Sequence, residues 1–422
     1  MKADTVTGEY DVIVVGSGPA GATVARDLSK KGKRVLILER GPNKKVSDTI
    51  RSIASVIRST PIGEKMKVPS VSVTGGASAI YFGICERPDL GVFNSYGVDL
   101  SSVLDEAESD LPITEIPDHL LGPQQIRLRE IALNSGLPWK KHKVLAYSSM
   151  IDDRYKSDAR WNASQFISDA IESGAVLQNF ANAKSILHEQ GRAIGISYSV
   201  GIGNDAPLVR AYAERIILSA GAAATPKLLR ENGLADGIDA SFYCHPGLVV
   251  FGCIQGLGAR ESFVATMSAE LDRGLALGDA NFAKSFYRMY MLVNKKFLRF
   301  FDYSRSIGIG VVIREATGGG LNEDGHYHKK IDQEDMALLE QGKKRGMEML
   351  SKAGAKAVFA SKIMATHMGG SLKIGNYLNS DLQTPLLGLY VCDGSIIPFE
   401  ANRPPTLTLV CIAKRLARHL SS

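Results

Sequence analysis

One histidine near the carboxyl end of the chain stands where it could do acid–base chemistry. His367 lies in the segment "ATHMGGSLKIG", residues 365–375, and the whole chain has only 8 histidines. A neutral imidazole can remove a proton from a substrate, ligate a metal, or pack in the core with its ring nitrogens satisfied. No second His, Asp or Cys lies at ligand spacing around it, so a metal site is not expected. The segment by itself leaves the catalytic base and the core histidine open.

A glycine pattern near the amino terminus is typical of a phosphate-binding turn. Gly16, Gly18 and Gly21 follow the apolar run Val12–Val15 as G-x-G-x-x-G, and Glu39 ends a second apolar run. The first glycine permits a tight turn, the second lets a pyrophosphate approach the backbone, and the third lets helix and strand pack closely. A carboxylate at the position of Glu39 can accept ribose hydroxyls. The unit predicts a dinucleotide site and does not separate FAD from NAD.

Three other stretches carry small residues, prolines or an acidic residue next to apolar runs. They are "TGGASAIYFG" at 74–83, "LSAGAAATPKLLRENGL" at 218–234 and "LYVCDGSIIPFEANRPPTLTLVCIAKRLARHL" at 389–420. Together with the glycine pattern and the His367 segment, in this order and spacing, they resemble the glucose–methanol–choline (GMC) oxidoreductases. The regions near 96–155 and 256–330 carry no part of the resemblance. The resemblance implies an FAD enzyme that oxidises an alcohol or a sugar-like hydroxyl by hydride transfer to flavin N5.

The same resemblance implies how FAD is held. Non-covalent attachment is expected, because the motif at 74–83 contains no histidine that could be joined to the flavin, and Ile80 replaces the family's asparagine. The positive end of the last helix would face the flavin, where negative charge develops during the reaction. The expected cofactor contacts are Gly16, Gly18, Gly21, Glu39, Arg40, Gly75, Gly76, Ser78, Ala220, Gly221, Asp393, Gly394, Pro405 and Thr406.

Two residues are expected to act on the substrate. In the family a histidine before the Asp-Gly strand is the general base, and His367 occupies that position. The family's second catalytic residue falls on Pro404, so Asn402 is the nearest candidate to orient the hydroxyl. His245, in "CHPG", resembles a structural histidine of the family. The departures at Ile80 and Pro404 keep open another FAD reaction, such as double-bond reduction or light-driven decarboxylation, and also a non-catalytic flavoprotein.

The elements that must position these residues indicate an α/β chain (α+β overall). We predict a Rossmann-like FAD-binding lobe, discontinuous in sequence, and a second substrate lobe on a mixed or antiparallel sheet. The FAD lobe is expected at 1–95, 156–250 and 366–422, and the substrate lobe at 96–155 and 251–365. The predicted elements are buried strands at Val12–Val15, Val35–Leu38 and Arg215–Ser219, and helices at Ala22–Leu28, Asp332–Gly354 and Thr406–Leu420.

Composition favours an ordinary globular protein that acts on a small molecule. Of the 422 residues, 45% are hydrophobic and 22% charged, and the formal charge of +6 is too mild to suggest nucleic acid. The 5 cysteines are odd in number and include no C-x-x-C pair, which argues against a disulfide framework, an iron–sulfur cluster or a zinc site. Without an apolar signal region or a long apolar stretch, a cytoplasmic protein with no transmembrane segment is expected.

The stretch at 283–305, rich in basic and aromatic residues, has two interpretations. It could touch a membrane surface, a redox partner protein or an anionic substrate, or it could be pocket wall with a solvated face. The expected partners are a small-molecule alcohol or sugar-like substrate, with oxygen or a redox partner protein as the electron acceptor.

Overall fold

The fold is a mixed α/β arrangement in which helices surround two large sheets. The computed structural model describes residues 5–63, 66–150, 155–203, 205–236, 238, 240–401 and 404–421. The α-helices are α1 (Pro19–Lys30), α2 (Ile50–Val56), α3 (Leu90–Ser95), α4 (Ser101–Ser109), α5 (Pro123–Asn134), α6 (Ser164–Glu172), α7 (Thr225–Glu231), α8 (Lys284–Val293), α9 (Gln333–Lys352) and α10 (Thr406–Ser421). The strands are β1 (Thr5–Val15), β2 (Val35–Glu39), β3 (Ile57–Gly63), β4 (Met66–Val71), β5 (Ile84–Cys85), β6 (Ile113–Glu115), β7 (Lys140–Lys141), β8 (Lys143–Leu145), β9 (Val176–Asn179), β10 (Ala181–Glu189), β11 (Arg192–Val200), β12 (Leu208–Leu218), β13 (Pro246–Cys253), β14 (Met267–Glu270), β15 (Leu275–Asp279), β16 (Ser306–Ile313), β17 (Gly320–Leu321), β18 (Tyr327–His328), β19 (Lys356–Ala360), β20 (Met364–Ala365) and β21 (Leu389–Val391).

The first sheet contains the predicted βαβ unit. Its order among the described strands is β10–β11–β12–β1–β2–β9, and β21 pairs with the end of β12. The pairings β1–β2, β1–β12, β2–β9 and β12–β21 are parallel, whereas β10, β11 and β12 form an antiparallel meander. Both predicted apolar runs, Val12–Val15 and Val35–Leu38, are buried, as expected for parallel strands covered on both faces. The strands come from three separate parts of the chain, so the predicted discontinuous Rossmann-like lobe is confirmed.

The second sheet is antiparallel, which confirms the other half of the predicted fold class. Its order is β19–β13–β16–β15–β14–β7, with β20 also beside β13, and every one of these pairings is antiparallel. The long helix α9 packs on this sheet through glycines. A Cβ on Gly342 would overlap the side chains of Val311 and Leu275, so the absence of a side chain lets the helix approach the strands.

The predicted helices are present, and α9 has its predicted cap. The Asp332 carboxylate accepts a hydrogen bond from the backbone N–H of Asp335 (2.8 Å) and so begins α9 where the sequence predicted. The last helix begins at Thr406, directly after the two prolines. Within the described residues, no helix combines the length and the apolar character needed to cross a membrane.

A buried lysine ties the last helix to the amino-terminal helices. The Lys414 side chain is only 2% exposed, and its Nζ lies 3.2 Å from Asp27, 2.6 Å from Glu106 and 2.6 Å from Asp110. The Arg26 guanidinium also pairs with Asp110. Because a buried cation needs this compensation, the cluster holds α10 against α1 and α4 and thereby fixes the amino end of α10 relative to the first sheet.

Candidate active site

The predicted site residues lie on loops that meet at one edge of the first sheet. Because β1, β2, β12 and β21 are parallel, their carboxyl ends lie at the same edge. The backbone N–H of Ser219 donates to the carbonyl of Val15 (2.8 Å), and that of Cys392 donates to the carbonyl of Leu218 (2.9 Å). Ligands of open α/β sheets bind outside the carboxyl ends of the strands. A cofactor is therefore expected at this edge.

The three glycines of the first turn have different roles. Gly16 has φ +109°, and a Cβ there would overlap the carbonyl of Ser219. A Cβ on Gly21 would overlap the carbonyl of Gly16. Gly18, the residue before α1, has no atom within 4 Å of its Cβ position. Two glycines thus serve packing, and the third leaves open backbone at a helix amino terminus, which fits a pyrophosphate.

Glu39 faces the glycine turn from the end of β2. Its carboxylate accepts hydrogen bonds from the Ser17 hydroxyl (2.6 Å), the Ser17 N–H (3.3 Å) and the Gly41 N–H (2.7 Å). Burial raises the pKa of Glu39, and these hydrogen bonds oppose the shift. A carboxylate has about four acceptor positions, so three bonds leave room for one further donor, such as a ribose hydroxyl.

The loop at 74–79 lies beside the glycine turn. The N–H of Gly75 donates to the Ser17 hydroxyl (3.1 Å), and a Cβ on Gly76 would stand 2.9 Å from the Cα of Gly18. The Ser78 hydroxyl is buried and donates to the carbonyl of Gly75 (2.6 Å). Ser78 therefore stabilises its own loop, and a contact from this hydroxyl to FAD stays a prediction.

Asp393 joins two turns at the site. Its Oδ2 accepts from the Gly221 N–H (2.9 Å) and the Thr225 hydroxyl (2.5 Å), and its Oδ1 accepts from the Ser395 N–H (2.9 Å) and hydroxyl (2.6 Å). Burial raises the pKa of Asp393, with the hydrogen bonds from Ser395 and Thr225 opposing. Gly221 has φ +99° and open space at its Cβ position. The carboxylate thus shapes a turn whose backbone is free to meet a ligand.

His367 packs against a second histidine. The rings of His367 and His245 meet edge to face with centroids 4.6 Å apart, and the Tyr243 ring lies at a tilt against His245, with centroids 4.9 Å apart. Two backbone hydrogen bonds of 3.1 Å, in both directions between Tyr243 and Gly369, hold the two segments together. The two histidines are 122 positions apart in sequence, and this strand-like pairing is what brings their rings into contact.

The two glycines after His367 make room for this cluster. A Cβ on Gly369 would overlap the hydroxyl of Tyr243, and Gly370 has φ +77°. The next turn is fixed by a hydrogen bond from the Leu372 N–H to the carbonyl of Ser395 (2.9 Å). The loop that carries His367 therefore rests directly on the loop that follows Asp393.

Both rings of the pair are neutral near pH 7. Burial lowers the pKa of His367 to about 4. The pKa of His245 lies well below its usual range, mainly because the ring is buried and secondly because His367 is close. The Nδ1 atom of His245 is buried and has no hydrogen-bond partner among the described residues. His245 is almost fully buried, whereas His367 is a partly exposed residue. His367 is thus the member of the pair that a substrate could reach, in the form that accepts a proton.

The structure says less about four other predicted residues. Asn402 lies outside the described residues, so its role stays a prediction. The Arg40 side chain is exposed and donates to the hydroxyl of Ser72 at 2.9 and 3.2 Å. Pro405 and Thr406 stand at the start of α10, where the N–H groups of the first turn have no partner within the helix.

Three residues of the site were not singled out from the sequence. Ser17 links Glu39 to the loop at Gly75, and the side-chain oxygen of Asn162 lies against Gly75. Nothing in the spacing of either residue signals these contacts. Tyr243 stands two positions before His245, but His245 has φ +45°, so the alternation of an extended strand would not have placed the two rings together.

Comparison with known proteins defines the class of this protein. The profile of the family GMC oxidoreductase matches residues 10–247, which is more than half of the chain. The chain belongs to the GMC oxidoreductase family and is an FAD-dependent oxidoreductase.

Individual relatives are distant. A GMC-type oxidoreductase of Mycobacterium tuberculosis is 28% identical over 255 residues, which cover 53% of this chain and 39% of the relative. A long-chain-alcohol oxidase of Arabidopsis thaliana is 22% identical over 526 residues, which cover 99% of this chain and 69% of the relative. Among solved structures, a formate oxidase variant from Aspergillus oryzae matches with a TM-score of 0.78 at 14% sequence identity. The match covers 99% of this chain and 98% of the formate oxidase chain. The structural likeness shows that the fold is shared.

Proposed function

We propose that this enzyme oxidises an alcohol or a sugar-like hydroxyl group and that His367 is the general base. The observation that supports this most directly is a neutral imidazole, on a partly exposed residue, in a loop that rests on the Asp393 turn. The Arabidopsis relative, by its name, oxidises long-chain alcohols, which favours a hydroxyl substrate.

FAD would be held non-covalently by backbone and by Glu39. Gly18 and Gly221 offer open backbone at the sheet edge, and Glu39 keeps an acceptor position for a ribose hydroxyl. The amino end of α10, at Pro405 and Thr406, would present its positive dipole to the cofactor. When bound, FAD supplies the acceptor for the hydride that leaves the alcohol carbon.

The described side chains suit the removal of the hydroxyl proton. His367 would take the hydroxyl proton at a ring nitrogen, and its lowered pKa keeps that nitrogen unprotonated at neutral pH. The buried ring of His245 would fix the orientation of the His367 ring and exclude water from one side. Asn402 is proposed, on sequence grounds alone, to orient the hydroxyl.

The division of the chain into two lobes is likewise proposed on sequence grounds. The FAD lobe would comprise 1–95, 156–250 and 366–422, and the substrate lobe 96–155 and 251–365. β13 begins before the boundary at 250 and pairs within the second sheet, so the two lobes share this strand. Oxygen or a redox partner protein would reoxidise the enzyme, and a cytoplasmic location remains the expectation.

The proposal is tested by anaerobic flavin reduction in the FAD-loaded enzyme. A panel of short-chain alcohols, long-chain alcohols and sugars is mixed with wild type, His367→Ala and the exposed control His188→Ala, while FAD occupancy and melting temperature are measured on the same samples. We expect His367→Ala to lower the rate per bound flavin by about 100- to 10,000-fold, the usual worth of general base catalysis. The control should match wild type.

Two results would contradict the proposal. A rate per bound flavin within a few-fold of wild type would remove His367 from the mechanism. Wild-type enzyme that no hydroxyl compound reduces would argue against alcohol oxidation itself.

The non-covalent attachment has its own test. Purified protein should be yellow, and acid precipitation should release the flavin into the supernatant. Flavin that stays in the protein pellet would show a covalent link.

A further inference from the structure

Large apolar side chains project into solvent from one short segment of the second lobe. The segment at 292–301, called here the apolar tip, begins at the end of α8 and runs through the 3₁₀ turn Phe297–Arg299. A side chain that is 94% exposed, as Leu298 is, has almost no protein neighbours, so the tip protrudes. Its exposed apolar side chains are Leu292 (41%), Val293 (61%), Phe297 (60%), Leu298 (94%) and Phe301 (79%).

The tip stands on a firmly packed base. Tyr287 and Met291 of α8 are buried in a cluster with Phe251 and Phe282 of the second lobe. The hydroxyl of Ser285 donates to the carbonyl of Asp48 at the other side of the helix. The apolar side chains are therefore presented by a fixed helix and are not the product of a poorly packed core.

Cations surround the tip with little compensation. Residues 284–305 contain one acidic residue, Asp302, whose carboxylate already pairs with Arg299 (2.9 Å) and Arg305. The side chains of Lys295 and Lys296 are exposed, and their ammonium groups form no ion pair with any residue that the structure describes. The basic residues of this segment are Lys284, Arg288, Lys295, Lys296, Arg299 and Arg305.

We propose that the apolar tip inserts into the surface of a bilayer that contains anionic lipids. Apolar and aromatic side chains beside exposed lysines match the boundary between acyl chains and negatively charged headgroups. A stable protein interface uses about 20–30 residues on each side, far more than this segment offers. The docking is independent of the reaction proposed for the FAD site.

Vesicle co-sedimentation of the FAD-loaded enzyme tests the proposal. Wild type is compared with the charge variant Lys295→Glu/Lys296→Glu, the apolar variant Leu298→Ser/Phe301→Ser, and the control Ile202→Ser, which removes an apolar side chain that is 88% exposed elsewhere. The vesicles are phosphatidylcholine alone or with about one-third phosphatidylserine. FAD content and melting temperature show whether each variant is folded.

The expected result is binding of wild type and Ile202→Ser to the anionic vesicles only, weakened by salt. The charge variant should lower the partition coefficient by more than about 30-fold, since the loss of each cation near an anionic surface costs about five- to six-fold and the two introduced glutamates are repelled by that surface. The apolar variant should lose measurable binding.

Each other outcome would overturn the proposal. Wild type could stay in the supernatant with both kinds of vesicle, or the tip variants could bind as well as wild type. The control Ile202→Ser could also lose as much binding as the tip variants. A tip variant that converts a dimer to a monomer without changing vesicle binding would identify the tip as an interface between copies.

Discussion

Acidification should destabilise this protein through the packed histidine pair. Burial lowers the pKa of His367 to about 4, whereas an unfolded histidine titrates near 6.5. Because the folded pKa is the lower one, the unfolded chain binds more protons between these values, and the free energy of unfolding falls as the pH decreases from about 6.5 toward 4. The stabilising contribution is complete above the unfolded pKa.

The size of the effect follows from the width of that window. One pKa unit is worth about 1.4 kcal/mol, so a change from pH 7 to pH 5 would remove about 2 kcal/mol for a fully buried ring. His367 is a partly exposed residue, and solvent screening reduces the expected loss to about 1–2 kcal/mol. His245 acts in the same direction, because burial lowers its pKa as well.

Urea denaturation of the FAD-saturated protein at pH 7 and pH 5 measures this loss. In His367→Gln the difference between the two pH values should shrink by about 1–2 kcal/mol relative to wild type. The control His188→Gln, which alters an exposed histidine of β10, should keep the wild-type difference. If wild type and His367→Gln lose the same free energy between pH 7 and pH 5, the burial argument for His367 is wrong.

Two further predictions concern the groups that hold the site together. Lys414→Met should lower the free energy of unfolding by about 3 kcal/mol in urea denaturation, because it leaves Asp27 and Asp110 facing each other near a buried position. The control Lys343→Met removes an exposed ion pair within α9 and should lower the free energy of unfolding by less than about 1 kcal/mol. Asp393→Asn should lower FAD retention and reduce the free energy of unfolding by about 2–4 kcal/mol, because an amide cannot accept all four hydrogen bonds. Unchanged FAD content after gel filtration would contradict this role.

The nucleotide-binding half was predictable because its requirements are local. Gly16 is needed by its own positive φ and Gly21 by its contact with Gly16 in the same turn, and the apolar runs that flank them are typical of buried strands. The Asp332 cap and the last helix were predictable for the same reason. By contrast, Lys414 is one of several basic residues in the last helix, and its spacing does not distinguish it from the others. Its burial depends on Asp27, 387 positions away, and no local pattern carries that information.

The histidine pair shows how the two sheets jointly build the site. His245 directly precedes β13, and His367 follows β20 by one residue, so both lie where the pairing of these strands ends. The same segment then continues through the glycine pair onto the Asp393 turn, which belongs to the edge of the first sheet. The base that we propose would therefore lie at a junction between the two sheets, and ligand sites commonly form at such junctions. Its position therefore depends on both sheets, and a change that shifts β13 against β20 should alter the rate of flavin reduction by moving His367.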